Sequence, residues 1–291
     1  MPVASSINNE AWVVCTDPKP NAHFRLFCFP YMGGGASVYS QWGKIISDDI
    51  EVCAIQYPGR EERANETIID DKTILVDSVT DLMVPLGDKD VVFYGHSFGA
   101  GVCIHVANRL LRRHVRVSRI FAGAFNTPEL MSKTLVELLN MKDVESIETL
   151  PPVCEDELII NFMRNMGVLP EMLLADQELM RMVLPVIRAE LTILRGFLSG
   201  DASSQNFSIP CPMTVFAGIN DPICPPEALE NWRRFPCAYP IHVRHIMGDH
   251  LFIHKRRCRK KIINDIEAML LDEPIAVSGS LLPSEHIKRK G

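Results

Sequence analysis

Short apolar runs alternate along the first part of the chain with stretches whose apolar residues return every three or four positions. Residues 24–30 (FRLFCFP), 51–57 (EVCAIQY), 91–94 (VVFY) and 119–125 (RIFAGAF) read as strands. A glycine loop at 31–36 follows the first of them, and 37–46 then shows helical spacing through Val38, Trp42, Ile45 and Ile46. Residues 68–83 and the stretch from Gly99 through Leu111 have the same helical rhythm. Strands that alternate with helices predict an α/β fold, a mostly parallel sheet covered by helices on both faces.

Between about 128 and 198 the rhythm changes. Leu, Met and Glu dominate, no strand stands out, and several helices are expected, broken at Pro151-Pro152, Pro170 and Pro185. Strand signals resume at 213–217 (MTVFA) and 241–246 (IHVRHI), and 252–271 reads as a final helix. Residues 1–22 are polar and irregular, and 272–291 mix Pro, Ser, Gly and Lys as a loose tail would. The expected organisation is one α/β domain over 1–271, with 128–198 as a helical insertion and 272–291 as a flexible tail.

Composition narrows the classes. The chain has 291 residues, 47% hydrophobic and 23% charged, which excludes a disordered or fibrous chain. A net charge of -6 supplies no overall basic field to hold nucleic acid. The nine cysteines are odd in number, form no CxxC pair and sit partly inside apolar runs such as Phe27-Cys28-Phe29. They read as buried thiols, and neither a zinc site nor a secreted disulfide framework is expected. With no secretory signal and no apolar run near the roughly 20 residues of a membrane span, the cytoplasm is the expected compartment.

Gly95-His96-Ser97-Phe98-Gly99 carries the chemistry. G-x-S-x-G alone is a weak signal, but here it follows an apolar strand and opens a helix pattern, as a nucleophile elbow requires. The serine must sit on a sharp turn, so small residues are needed two positions before and two after it. A serine alcohol needs a base, and the hydrolase order places an acid and then a histidine after later strands. Asp221 follows the run 215–218, and His250 follows the strand 241–246. His250 is expected to take the Ser97 proton while Asp221 orients the imidazole. Asp249 is the rival acid, but as the neighbour of His250 it is poorly placed to reach the far side of the ring. His96 is too constrained beside Ser97 to act as its base, and His242, His245 and His254 read as structural or surface positions. For the oxyanion, the backbone N–H groups of Phe98 and Met32 are the candidate donors, the second from the loop Pro30-Tyr31-Met32-Gly33-Gly34-Gly35. No GK[ST] follows those glycines, so they are not read as a phosphate loop.

The segments 27–42 (FCFPYMGGGASVYSQW), 56–63 (QYPGREER), 94–100 (YGHSFGA), 216–223 (FAGINDPI) and 248–253 (GDHLFI) together resemble the type II thioesterases, stand-alone α/β-hydrolases that remove acyl groups from carrier proteins. The resemblance spans roughly 22–270 and implies an α/β-hydrolase fold with a helical lid insertion. It maps Ser97, Asp221 and His250 onto the family triad and makes 128–198 a mobile lid over an acyl channel. Met172, Leu173 and Met180 become candidate substrate contacts in that lid, although the same apolar residues can equally pack core helices. It implies no metal and no organic cofactor, and a partner that is the acyl carrier protein or carrier domain of a fatty acid, polyketide or nonribosomal peptide synthase. Arg60, Arg63 and the run His254-Lys255-Arg256-Arg257 are candidates to meet such a carrier, a solvated helix face being the plainer reading of the run. Two departures from the family are Phe98, where Met is frequent and where a ring is expected to narrow the acyl pocket, and Met32, where bacterial members often have Ala. The expected activity is serine-dependent hydrolysis of acyl thioesters; the rivals are an acyltransferase or small-ester esterase with the same triad, and a carrier-binding relative without turnover.

Overall fold

The computed structural model describes residues 9–86, 88–141, 155–167, 169–198, 209, 211–235, 237 and 239–272. Successive side chains on a strand point to opposite faces, and this sorts the apolar runs into two cores. In β2 (Phe24–Phe29), Leu26 and Cys28 join one apolar cluster while Phe27 and Phe29 join the other. In β3 (Ile50–Ile55), Val52 and Ala54 divide from Cys53 and Ile55 in the same way. In β4 (Asp90–His96), Val92 and Tyr94 divide from Val91 and Phe93. Runs apolar on both faces are the mark of a sheet covered on both sides.

The remaining strands are β1 (Val13–Val14), β5 (Arg119–Gly123), β6 (Met213–Gly218) and β7 (Ile241–Ile246). They form one seven-stranded sheet in the order β1-β3-β2-β4-β5-β6-β7, parallel throughout except that β1 runs antiparallel to β3. This is the expected α/β architecture. The short helix α1 (Asn9–Trp12) and the two-residue strand β1 lie in a segment expected to be irregular. Two residues are too few to show an alternation; β1 is defined by its pairing with Ala54 and Ile55.

Helices α2 (Lys72–Met83) and α3 (Phe98–Arg112) pack into the core that holds Phe27 and Phe29. α2 begins at 72 rather than 68 because Asp71 accepts the Thr73 and Ile74 N–H groups and caps it there. The stretch 37–46 is not a regular helix. A single 3-10 turn, Ala36–Tyr39, leads into further turns closed by three-residue bonds such as Trp42 N–H to Tyr39 O at 2.9 Å. Trp42 is buried there, but Ile45 is 50% exposed, so the spacing does not mark one buried stripe. Residues 252–271 likewise divide into a 3-10 turn (Phe252–His254), α9 (Arg256–Glu267) and a π turn (Ala268–Asp272). α9 covers the opposite face, packing against the core that holds Leu26 and Cys28.

Between β5 and β6 the chain forms α4 (Pro128–Leu138), α5 (Asp156–Met166), α6 (Glu171–Leu174) and α7 (Gln177–Leu198). Pro170 stands at the start of α6, as expected, while the break at Pro151-Pro152 and the tail beyond 272 lie outside the described residues. Pro185 does not break α7, which runs through it for 22 residues. An internal proline costs about 3 kcal/mol. Burying one large apolar side chain stabilises by about 1.5–3 kcal/mol, and α7 buries Leu184, Ile187, Leu191, Leu194 and Phe197 among others. The short helix α8 (Glu230–Arg233) follows β6. Among the described residues no helix is long and apolar enough to cross a membrane.

Candidate functional site

Ser97 links β4 to α3 with φ 51° and ψ −120°, a conformation in which a side chain is strained and projects clear of the chain on either side. The turn is possible because its neighbours lack side chains. A Cβ on Gly95 would stand 2.6 Å from Ala100 N, and one on Gly99 would stand 2.5 Å from Pro30 O. The Ser97 N–H donates to Gly123 O at 2.8 Å, which ties the turn to the end of β5. α3 therefore begins directly behind the hydroxyl, with the positive end of its dipole at the site.

His250 and Asp221 arrive on the loops after β7 and β6. His250 Nε2 lies 2.9 Å from Ser97 Oγ, placed to accept its O–H. His250 Nδ1 lies 2.9 Å from Asp221 Oδ2 and donates to that carboxylate. Asp221 Oδ1 accepts the Ile223 and Cys224 N–H groups at 2.9 and 3.1 Å. The Cys224 thiol and the Ile223 carbonyl are both bound by Asn126 at 2.8 Å, so the loop after β5 braces the loop that carries the acid. Burial alone would raise the Asp221 pKa; the hydrogen bond and charge of His250 and the two N–H donors outweigh it and hold the carboxyl below its ordinary value.

The other histidines divide clearly. His96 is buried and donates through Nε2 to the His250 carbonyl at 2.8 Å, while Tyr94 O–H faces its Nδ1 at 3.2 Å. Burial, with the nearby charge of His250, pushes its pKa down to about 3, so it stays neutral and braces His250 from behind. Asp249 turns outward to Lys255 at 2.7 Å and does not approach the imidazole. His254 lies in the turn before α9 rather than within a helix, where Tyr31 O–H meets its Nε2 at 2.8 Å. His242 and His245 are exposed on the edge strand β7.

The glycine loop is bound on several sides. Gln56 Oε1 accepts the Ala36 N–H at 2.8 Å, Glu61 accepts the Ser37 N–H at 3.2 Å, and Arg60 donates to Gly34 O at 3.0 Å. The Gly34 N–H bonds to Tyr31 O at 2.9 Å and the Gly33 N–H to Glu190 at 2.6 Å. No internal acceptor for the Met32 or Phe98 N–H is found among the described residues. The Phe98 ring does not narrow the cavity. It packs at 6.3 Å centroid separation from Tyr57 on one side and Phe197 on the other.

A cavity of about 200 Å³ opens at Ser97. Tyr31, Met32 and Gly33 form one wall, Ser97 and His250 with the neighbouring Leu251 the catalytic end, and Phe162, Met163, Met166, Leu169, Val183 and Ile187 the apolar wall. The helical block between β5 and β6 thus supplies the apolar side, but not through the three candidate contacts Met172, Leu173 and Met180. Met172 is 79% exposed, Leu173 is half-buried and Met180 is buried in the core, and none of the three lines the cavity. Arg60 and Arg63 are also not free to meet a partner. Arg60 is half-buried and paired with Glu190, and Arg63 is buried against Glu66, the Gln56 carbonyl and the Trp12 ring. Of the run 254–257, all four residues are exposed. Glu190, absent from the sequence-based candidates, is the polar residue that reaches the site from the helical block. Among the described residues no group of three or more His, Cys, Asp or Glu side chains is arranged to hold a metal ion.

A hydroxyl on a strained turn, an imidazole within hydrogen-bond reach, a carboxylate behind it and two N–H groups nearby can together carry out acyl transfer to and from serine. A family model described as a thioesterase domain matches residues 24–270. The chain is similar to the gramicidin S biosynthesis protein GrsT of Aneurinibacillus migulanus, 30% identical over 88% of this chain and 93% of that protein. It is also similar to the medium-chain S-acyl fatty acid synthase thioesterase of Rattus norvegicus, 28% identical over 87% of this chain and 90% of that protein. Among solved structures, RedJ, a thioesterase from the prodiginine biosynthetic pathway in Streptomyces coelicolor, superposes with a TM-score of 0.71 at 26% identity, covering 93% of this chain and 91% of that one.

Proposed function

This chain belongs to the thioesterase family and is a thioester hydrolase of the α/β-hydrolase fold, and we propose that it cleaves acyl groups from the phosphopantetheine arm of a carrier protein through a covalent Ser97 intermediate. The observation that carries the reading is the unbroken chain from Ser97 Oγ to His250 Nε2 at 2.9 Å and from His250 Nδ1 to Asp221 at 2.9 Å, opening on an apolar cavity. Ser97 Oγ attacks the thioester carbonyl carbon while His250 takes its proton. Asp221 holds the imidazole in the required tautomer and stabilises the imidazolium. The tetrahedral oxyanion is received by the Phe98 and Met32 N–H groups and by the end of α3. The C–S bond then breaks, His250 returns the proton to sulfur, and the pantetheine thiol leaves. Water, deprotonated by His250, hydrolyses the acyl-serine and releases the free acid.

The substrate class rests on two supports. The relatives' own names place them in gramicidin S biosynthesis and fatty acid synthase, both of which fit carrier-bound thioesters. The cavity wall is apolar and Met-containing, suited to an adaptable acyl tail. In this reading α4 to α7 act as a lid over the acyl chain, and the exposed Arg256 and Arg257, just beyond His250, meet the carrier's phosphate or acidic helices. The cytoplasm is the proposed compartment, consistent with the free thiols of all eight cysteines among the described residues.

The test is a hydrolysis profile over acyl-carrier thioesters of increasing chain length, set beside p-nitrophenyl esters, with and without an alcohol acceptor. Preferential thioester cleavage to free acid is expected. Ester formation with the alcohol, or preference for the oxygen esters, would replace the reading with an acyltransferase or esterase. Failure of a fluorophosphonate to label Ser97 would leave a carrier-binding relative without turnover.

A further inference from the structure

Helix α7 carries a carboxylate that the reaction above does not use. Glu190 is 2% exposed. Its Oε2 accepts the Gly33 N–H at 2.6 Å, and its Oε1 accepts the Arg60 guanidinium at 2.6 Å. Arg60 donates in turn to Gly34 O at 3.0 Å. The glycine loop is therefore gripped at two consecutive residues from the side of α7.

Packing alone gives no reason for this arrangement. Replacing a buried ion pair by apolar residues of similar volume is often neutral or stabilising. Burial pushes the Glu190 pKa up, against the pull of Arg60 and of the Gly33 N–H. What an apolar residue cannot do is hold a peptide N–H in one direction. The place of Glu190 on its helix adds a second observation. Val183 and Ile187 line the cavity and stand seven and three residues before it, on the same face of α7. Ile187 is seated directly on the loop, since a Cβ on Gly33, whose φ is +77°, would meet Ile187 Cδ1 at 3.0 Å.

We infer that Glu190 is a positioning residue for the oxyanion site: by accepting the Gly33 N–H it fixes the Met32–Gly33 peptide and, through the Met32 backbone, the adjoining Tyr31–Met32 peptide, so that the Met32 N–H faces the oxyanion only when α7 is seated over the cavity. The inference rests on the proposed reaction and deepens it. One face of α7 contacts the acyl tail through Val183 and Ile187 and sets the oxyanion donor through Glu190. Tail binding and transition-state stabilisation are thereby coupled.

Two double variants isolate the effect. Arg60→Met with Glu190→Gln, and Arg60→Met with Glu190→Leu, both lack the buried charges and differ in whether an acceptor faces the Gly33 N–H. Rates on octanoyl-pantetheine thioester are normalised to sites titrated with a fluorophosphonate, which counts only folded, reactive enzyme. Losing a whole oxyanion donor costs about 10²–10³ in kcat, so displacing one through its neighbour is expected to cost roughly 30-fold in the Leu variant relative to the Gln variant, with KM equal within about 3-fold. Affinity for an alkylthio trifluoromethyl ketone, to which Ser97 Oγ adds to give a hemiketal oxyanion, falls by the same factor as kcat/KM. A merely structural role moves the melting temperature and the titrated fraction but neither of these. Glu190→Asp keeps the charge for Arg60 while drawing the oxygens back from Gly33, and lowers kcat at unchanged KM. Equal kcat per titrated site in the two double variants, or unchanged kcat in Glu190→Asp, overturns the inference while the reaction stands. No hydrolysis by the unaltered chain overturns the reaction and the inference with it.

Discussion

The loops at the carboxyl ends of β4, β6 and β7 and the helices between β5 and β6 face one another across a single cavity, but they are held by different forces. The loops are fixed by backbone geometry and buried hydrogen bonds. Gly95 and Gly99 leave no room for any other residue, His96 holds the His250 carbonyl, and Asn126 braces the Asp221 loop. The helical wall rests mainly on apolar contacts among side chains such as Phe162, Met163, Leu169 and Ile187. The difference follows from what each must do. A misplacement of about 1 Å at reacting atoms can cost 10²-fold in rate. An apolar wall loses only about 1–3 kcal/mol of discrimination for a methylene gained or lost. Chemistry on the loop side and selectivity on the helix side should therefore be separable except at Glu190, where α7 reaches across to the glycine loop.

That separation can be broken or sharpened by experiment. The largest effect is expected at His250→Ala, with kcat lowered roughly 10⁶-fold, and at Asp221→Asn, lowered roughly 10⁴-fold. In both, the residual chain-length profile keeps its shape; a changed profile would show that the loops also select. Next comes acid stability. The folded pKa of His96, about 3, lies below its ordinary value of 6.5, so the unfolded chain binds the extra proton and stability is lost as pH falls through that window. Between pH 7 and pH 5 the loss from this group is about 2 kcal/mol. The depressed Asp221 carboxyl acts in the same sense at lower pH, its contribution being lost as pH falls below its ordinary 3.8. Denaturation midpoints across this range should fall, and fall less in His96→Gln; a flat profile in the unaltered chain would contradict a neutral, buried His96.

Smaller effects belong to the wall. Ile187→Ala enlarges the cavity and is expected to shift kcat/KM toward a longer acyl chain by roughly 10-fold, with little change in kcat on the preferred substrate. An unshifted profile would remove α7 from selectivity. The smallest effect is at Met172→Ala, an exposed position off the cavity, where stability should change by less than about 0.5 kcal/mol and the profile not at all.

The same contrast explains which features could be read from the chain. The nucleophile turn is local: a strand, two glycines and a serine within a few residues carry its geometry. The apolar runs of β2, β3 and β4 are likewise local, and the parallel sheet followed from their alternation with helical stretches. The cavity wall is not local. Helical spacing in 169–184 marks apolar faces but does not say which face turns to Ser97, and the wall draws on Phe162, Met163, Val183 and Ile187 instead of Met172, Leu173 and Met180. Pro185 looked like a break because propensity was weighed without the core that α7 buries. Arg60 looked like a surface cation because its partner, Glu190, lies 130 residues away in sequence. One signal was present: Val183, Ile187, Glu190 and Leu194 follow at helical intervals, which sets a lone carboxylate on an apolar face.

The account stands most directly on the acyl-serine. The enzyme is mixed with an octanoyl-pantetheine thioester, quenched in acid within the first turnovers, digested and analysed by mass spectrometry. The account predicts an octanoyl adduct on Ser97 in the peptide containing Gly95 to Gly99, and neither adduct nor turnover in Ser97→Ala. Retained turnover in Ser97→Ala, or an adduct on a cysteine in place of Ser97, would contradict it.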